Sequence, residues 1–175
     1  SILTGGQGKL TLTGQLGDVM KESAHIAHTF IKAHFKEFGI PENKISSFDI
    51  HVHVPAGAIS KDGPSAGVAL FVSMYSALTS ILVERTYAMT GEIDLQGLVL
   101  PVGGIKEKVL AAKKAGVSIV FIPNQNKYNI EEIAQYIGST IEIHYIDHIQ
   151  EVVDIIFKTN LVKVEKENHN KTISQ

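Results

Sequence analysis

The sequence predicts a single mixed α/β domain, and three patterns carry that expectation. Apolar residues recur at helical spacing from Leu16 to Phe38, Phe48 to Val54 alternates apolar with polar side chains, and beyond Gly103 short β-branched runs alternate with helical ones. At 175 residues and 44% hydrophobic content, the chain is long enough to enclose a core and too apolar to be disordered throughout.

Taken in order, Lys9 to Thr13 reads as a short strand. Leu16, Val19, Met20, Ser23, Ala27, Phe30, Ile31 and Phe38 then mark the buried face of one long amphipathic helix, which Gly39 and Pro41 end. Phe48, Ile50, Val52 and Val54 alternate with Asp49, His51 and His53, so this strand has one polar face. A glycine- and proline-bearing loop leads to Ser65 through Leu82, apolar nearly all round and therefore a central helix. Tyr87 to Ile93 and Leu98 to Val102 read as paired strands. Gly103-Gly104 opens a helix that Gly116 stops; Ser118 to Ile122 and Ile141 to Tyr145 are strands, and Ile130 to Tyr136 and Ile149 to Phe157 are helices. The domain is expected over 1–157, followed by a polar, disordered tail over 158–175 that carries Lys163, Glu165, Lys166 and Glu167. No internal repeat is present.

Composition narrows the function classes. Lys and Arg number 16 against 18 Asp and Glu, a net charge of -2, so no general electrostatic footprint for nucleic acid or anionic membrane exists. No apolar run is long enough to span a bilayer, the first residues carry no secretory pattern, and a cytoplasmic location is the default expectation. There are no cysteines, which rules out thiol catalysis by these residues. The opening at Ser1 without a methionine suggests a piece of a longer chain.

The chemistry concentrates in Lys61-Asp62-Gly63-Pro64-Ser65-Ala66-Gly67. Pro64 suits a first helical turn, where its missing N–H would have had no partner, and Gly63 permits a sharp approach. Ser65 is thereby placed at the positive end of a helix, where backbone N–H groups can hold an oxyanion and favour a developing alkoxide; small Ala66 keeps the surface open. The same residues also read as an ordinary helix cap. A nucleophilic serine needs a base. At about 100° per residue, Lys108 falls in the apolar sector of its helix beside Ile105, Ala112 and Ala115, whereas Lys106 falls in the solvent sector beside Lys113. An unshifted lysine, pKa about 10.4, is neutral about once in a few thousand at pH 7; lowering it by roughly three units costs about 4 kcal/mol, a penalty met at functional sites. The alternative for Lys108 is a side chain whose stem covers alanines while its amine reaches water.

His51 and His53 share a strand face at a spacing that metal sites sometimes use, but no cysteine or acidic cluster accompanies them, so no metal is expected. His25, His28 and His34 lack a zinc-protease pattern and read as surface or boundary residues. Gly103-Gly104 and Gly5-Gly6-Gln7-Gly8 lack the ending of a nucleoside-triphosphate loop and read as turns.

Four linked motifs, His51-Val52-His53-Val54-Pro55, Lys61 to Gly67, Met89-Thr90-Gly91-Glu92 and Pro101 to Lys108, resemble in order and spacing the proteolytic domain of the Lon proteases, soluble bacterial and mitochondrial type. The resemblance runs from about Gly8 to about Phe157. It implies that Ser65 is the nucleophile, Lys108 the base and Thr90 the residue that positions it, with Asp62, His51 and His53 in supporting roles; the oxyanion turn of Gly63, Pro64 and Ala66 rests on the helix-start reading of the residue types. It further implies a serine endopeptidase acting on unfolded or damaged proteins, a homo-hexameric ring, and an upstream AAA+ module using ATP and Mg2+, with no cofactor in this domain. Ser60 and Ala56 depart from the family pattern, where proline and glutamate are common. The rival readings are a GHMP-type small-molecule kinase, with a helix-start phosphate loop, and a non-catalytic assembly module of the same fold.

Overall fold

The computed structural model describes residues 1–55 and 62–158. Ala56, Ser60 and all but the first residue of the expected tail lie outside the described residues. The chain begins with β1 (Ile2–Gly5) and β2 (Leu10–Thr13), which flank β3 (Phe48–His53) in the order β1-β3-β2; β1 runs antiparallel and β2 parallel to it. The glycine-rich turn between β1 and β2 closes on a carboxylate: Asp49 Oδ1 accepts from Gln7 N at 2.7 Å and Lys9 N at 2.8 Å. Those backbone bonds hold the Asp49 pKa below the usual range. Gly6 is needed there, because a Cβ would lie 2.1 Å from Asp49 Cγ.

Helix α1 (Asp18–His34) packs against α3 (Gly67–Thr79), and both are shorter than the sequence pattern predicts. The chain leaves α1 after His34 and turns through Gly39, yet Phe38 still reaches the core, its ring 5.5 Å from Phe71 and 5.8 Å from Tyr75. Apolar periodicity therefore outlasts the helix because the turn returns Phe38 to the same core. α3 stops at Ser80, which takes a left-handed φ of 59°, and Leu82 is 84% exposed. His28, expected at a boundary, is buried in α1, where desolvation lowers its pKa to about 4. A short helix α2 (Glu42–Ser46) was not evident from periodicity.

The run predicted as one strand from Tyr87 to Ile93 is two. β4 (Tyr87–Met89) joins a parallel sheet in the order β4-β7-β8 with β7 (Ile119–Pro123) and β8 (Glu142–Ile146), whereas β5 (Glu92–Ile93) pairs with β6 (Val99–Leu100) in a separate hairpin. The break falls at Thr90–Gly91. Between β6 and β7 lies α4 (Ile105–Lys114), entered through Gly104 at φ 72° and left through Gly116 at φ 76°. The helix predicted from Ile130 to Tyr136 is divided into α5 (Lys127–Glu131) and α6 (Ala134–Ile137), and α7 (Ile149–Val153) continues into a wider π turn over Asp154–Lys158.

β7 divides two apolar clusters by its period of two: Phe121 faces the core of α1, α3 and α7, while Val120 and Ile122 face the core under α4, α5 and α6. The helix that the serine turn feeds and the helix that carries the lysine thus belong to different packed layers, with the end of β4 between them. Among the described residues, no helix is long and apolar enough to cross a membrane.

Candidate active site

Ser65 lies on a single 3-10 turn, Pro64–Ala66, that feeds α3; Gly63 enters it at φ 129° and Pro64 occupies its first position. The turn sits hard against the break in the β4–β5 run. Gly67 allows this: a Cβ there would come within 3.0 Å of Ile93 N, 3.1 Å of Ser23 Oγ and 3.2 Å of Gly91 O. Gly91 N donates to Ser65 O at 3.0 Å, and Gly91 O accepts from Val68 N at 3.1 Å. The backbone of Gly91 therefore bonds to the serine turn, which is the physical reason the strand breaks there. Thr90 N in turn donates to Phe121 O at 3.1 Å, tying this junction to β7.

Thr90 is 5% exposed, and its hydroxyl links the two candidates: it donates to Ser65 O at 3.1 Å and accepts from Lys108 Nζ at 3.1 Å. Lys108 Nζ also donates to Gly103 O at 3.1 Å. Burial is the cause that lowers the Lys108 pKa from its ordinary value. Lys106, two residues earlier, points to solvent and pairs with Glu132, whose hydrogen bond raises its pKa. The helical-face assignment thus separates the two lysines as expected. Ser65 and Lys108 line one cavity of about 550 Å3, whose other walls include Ala66, Met89, Val109 and Ala112. Among the described residues no hydrogen bond joins Ser65 to Lys108 directly; Thr90 is the bridge.

A neutral amine carries two N–H bonds and one lone pair. Thr90 Oγ1 and Gly103 O take the two N–H bonds, so the lone pair of an uncharged Lys108 remains for a third partner inside the cavity.

The other predicted residues lie as follows. Asp62 Oδ1 accepts from Gly63 N and from Met20 N, both at 2.9 Å, so its carboxylate caps the amino end of α1 from another part of the chain. Gly17 makes room for it, since a Cβ at 17 would sit 2.1 Å from Asp62 Cγ. His51 Nε2 and His53 Nδ1 each bond Thr13 Oγ1 at 2.8 Å, and among the described residues neither bonds Ser65, Thr90 or Lys108. Gly63 and Pro64 shape the turn, and Ala66 lines the cavity. Sequence reasoning missed Gly17, Ser23, Thr13 and the carbonyl of Gly103 as parts of this neighbourhood. The one available signal was Ser23, a polar residue at helical spacing among the apolar residues of α1. The Gly5–Gly8 amides do not form a phosphate cradle, because Gln7 N and Lys9 N already hold the Asp49 carboxylate.

The sequence model of the Lon protease (S16) C-terminal proteolytic domain matches residues 1–159. A Lon protease of Amoebophilus asiaticus is 50% identical over 167 residues, 95% of this chain and 20% of the relative. Lon protease 2 of Thermus thermophilus is 48% identical over 161 residues, 92% of this chain and 20% of the relative, and a Lon protease of Desulforamulus reducens is 50% identical over 150 residues, 86% and 18% respectively. The chain spans about one fifth of the length of these curated relatives. With the match covering nearly every residue, the chain belongs to the family of Lon protease (S16) C-terminal proteolytic domains.

Proposed function

We propose that this domain hydrolyses peptide bonds with Ser65 as nucleophile and Lys108 as base. The observation that carries the reading is that Ser65 and Lys108 line one largely apolar cavity, with Thr90 Oγ1 holding both the Lys108 amine and the backbone carbonyl of Ser65. In the reaction, the lone pair of neutral Lys108 takes the Ser65 proton as Oγ attacks the peptide carbonyl. The backbone N–H of Ser65 stabilises the oxyanion, since Pro64 has no N–H and Gly63 N is taken by Asp62. Collapse of the tetrahedral intermediate transfers the proton from the Lys108 ammonium to the leaving amine, and an ester on Ser65 remains. Lys108 then takes a proton from water as its oxygen attacks the ester, and gives that proton to Ser65 Oγ as the ester C–O bond breaks, which releases the carboxylic acid product and leaves Lys108 neutral. Desolvation of the amine favours the first step, because it enlarges the neutral fraction at a given pH.

Membership of the family supports a wider reading: protein substrates that are unfolded or damaged, a ring of six copies, and a chain segment outside these residues that uses ATP and Mg2+ to deliver them. The dyad is tested with a short fluorogenic peptide. Ser65→Ala and Lys108→Ala each lower kcat by at least about 10^3-fold with an unchanged circular dichroism spectrum, and Lys106→Ala keeps most of the activity. Equal losses at the two lysines would refute the choice of base.

A further inference from the structure

We infer that Ser23 is a positioning residue for the nucleophile, acting by fixing the plane of the Pro64–Ser65 peptide; this rests on the reading of Ser65 as nucleophile. Ser23 is 3% exposed, on the face of α1 that also buries Ala24 and Ala27. A hydroxyl in such surroundings is costly to bury unless it finds a partner. Mid-helix serines commonly bond back to their own helix four residues earlier. Ser23 instead donates to the carbonyl of Pro64, 41 residues away, at 3.4 Å, a long bond between neutral groups. The missing side chain of Gly67 leaves the space beneath the turn in which that hydroxyl lies.

Pro64 O also accepts from Gly67 N, so the carbonyl is held by two donors. The peptide is trans, and in a trans peptide C=O and N–H point in opposite directions. With Pro64 O drawn toward α1, the N–H of Ser65 is directed away from α1. That amide belongs to the nucleophile itself and is a natural donor to the oxyanion. The next carbonyl, Ser65 O, is gripped by Thr90 and Gly91. Both peptide planes that flank Ser65 are therefore set by side chains and backbone of other elements. Asp62 reinforces the first of these attachments, because it bonds Met20 N three residues before Ser23 on the same helix.

The test uses the full-length protein that carries this domain, a short fluorogenic peptide, and a peptide boronate that forms a tetrahedral adduct on serine. Ser23→Ala and Ser23→Cys lower kcat about tenfold, a fraction of the 10^2–10^3 lost when an oxyanion donor is removed outright. KM stays within about twofold, boronate affinity falls in parallel with kcat, and Ser23→Thr, which keeps the hydroxyl, retains activity. A merely structural serine would lower the melting temperature and leave kcat of the folded enzyme unchanged. Wild-type kcat in folded Ser23→Ala or Ser23→Cys, or a Ser23→Thr variant as slow as Ser23→Ala, overturns the inference. Activity surviving in Ser65→Ala would instead remove the reading beneath it.

Discussion

At the scale of single residues, the decisive quantity is the charge on one amine. Lys108 is half-buried, its pKa is lowered by burial, and its polar neighbours, Thr90 Oγ1 and Gly103 O, are uncharged. No carboxylate is hydrogen-bonded to it among the described residues, so no bonded opposite charge counters the desolvation of the ammonium. Lys106 shows the opposite balance, with Glu132 beside it and solvent around it. As the proposed base, Lys108 must be neutral to act, so kcat/KM for a short peptide rises with pH until Lys108 is deprotonated and then levels off. Because burial lowers the folded pKa, the midpoint of the rise lies below the ordinary lysine value of about 10.4. Lys106→Ala leaves the position of that rise in place. A profile flat from pH 6 to 9 in the wild type would show that no titrating amine limits the reaction.

At the scale of elements, the serine turn is held by neighbours distant in sequence. The end of β4 supplies Thr90 and Gly91, while α1 supplies Met20 N to Asp62 and Ser23 Oγ to Pro64. The amino end of α1 has no side-chain cap of its own, since its N-cap residue is Gly17, and Asp62, 42 positions beyond Met20, fills that role. One bond thus stabilises a helix and anchors the loop that leads to Ser65. Gly17 has an ordinary extended backbone, so alanine is not strained there by φ and ψ; its Cβ would instead collide with Cβ and Cγ of Asp62 at 2.6 and 2.1 Å. Gly17→Ala therefore displaces Asp62 and uncaps α1, which costs about 1–2 kcal/mol of stability. The same variant slows peptide cleavage, although residue 17 touches no residue of the dyad. Urea unfolding and kcat measured on one preparation check both parts; a stability loss with unaltered kcat would mean that the loop does not depend on this anchor.

At the scale of the whole molecule, what was legible in the sequence followed its periodicities. The period of two in β3 and the helical spacing of α1, α3 and α4 located the layers, and the sector holding Lys108 was readable because Ile105 and Ala112 do turn inward, although Ala115, counted with them, is exposed at the end of α4. Contacts made by backbone were not readable: Tyr87 to Ile93 has an unbroken strand-like pattern, yet Gly91 donates its N–H to Ser65 O and accepts from Val68 N at the start of α3, an interaction that side-chain type does not encode. His28 was equally hidden, because a histidine on a helix reads as polar until the packing of α1 is known. Its burial has a thermodynamic consequence for the entire fold. Its folded pKa is about 4 against 6.5 when unfolded, through desolvation first and then the charges of Lys32 and His25. Between those values the unfolded chain binds more protons, so the stabilising contribution of neutral His28 is complete above pH 6.5 and is lost as pH falls toward 4. After allowance for partial solvent access, the loss from pH 7 to pH 5 is about 1–2 kcal/mol. The lowered pKa of Asp49 acts at more acidic pH, below the ordinary carboxylate range, and so leaves this interval to the histidine. Urea unfolding at pH 7 and pH 5 measures the slope directly. His28→Leu, which keeps an apolar group at the buried position, flattens it; an equally steep slope in that variant would assign the acid sensitivity to other groups.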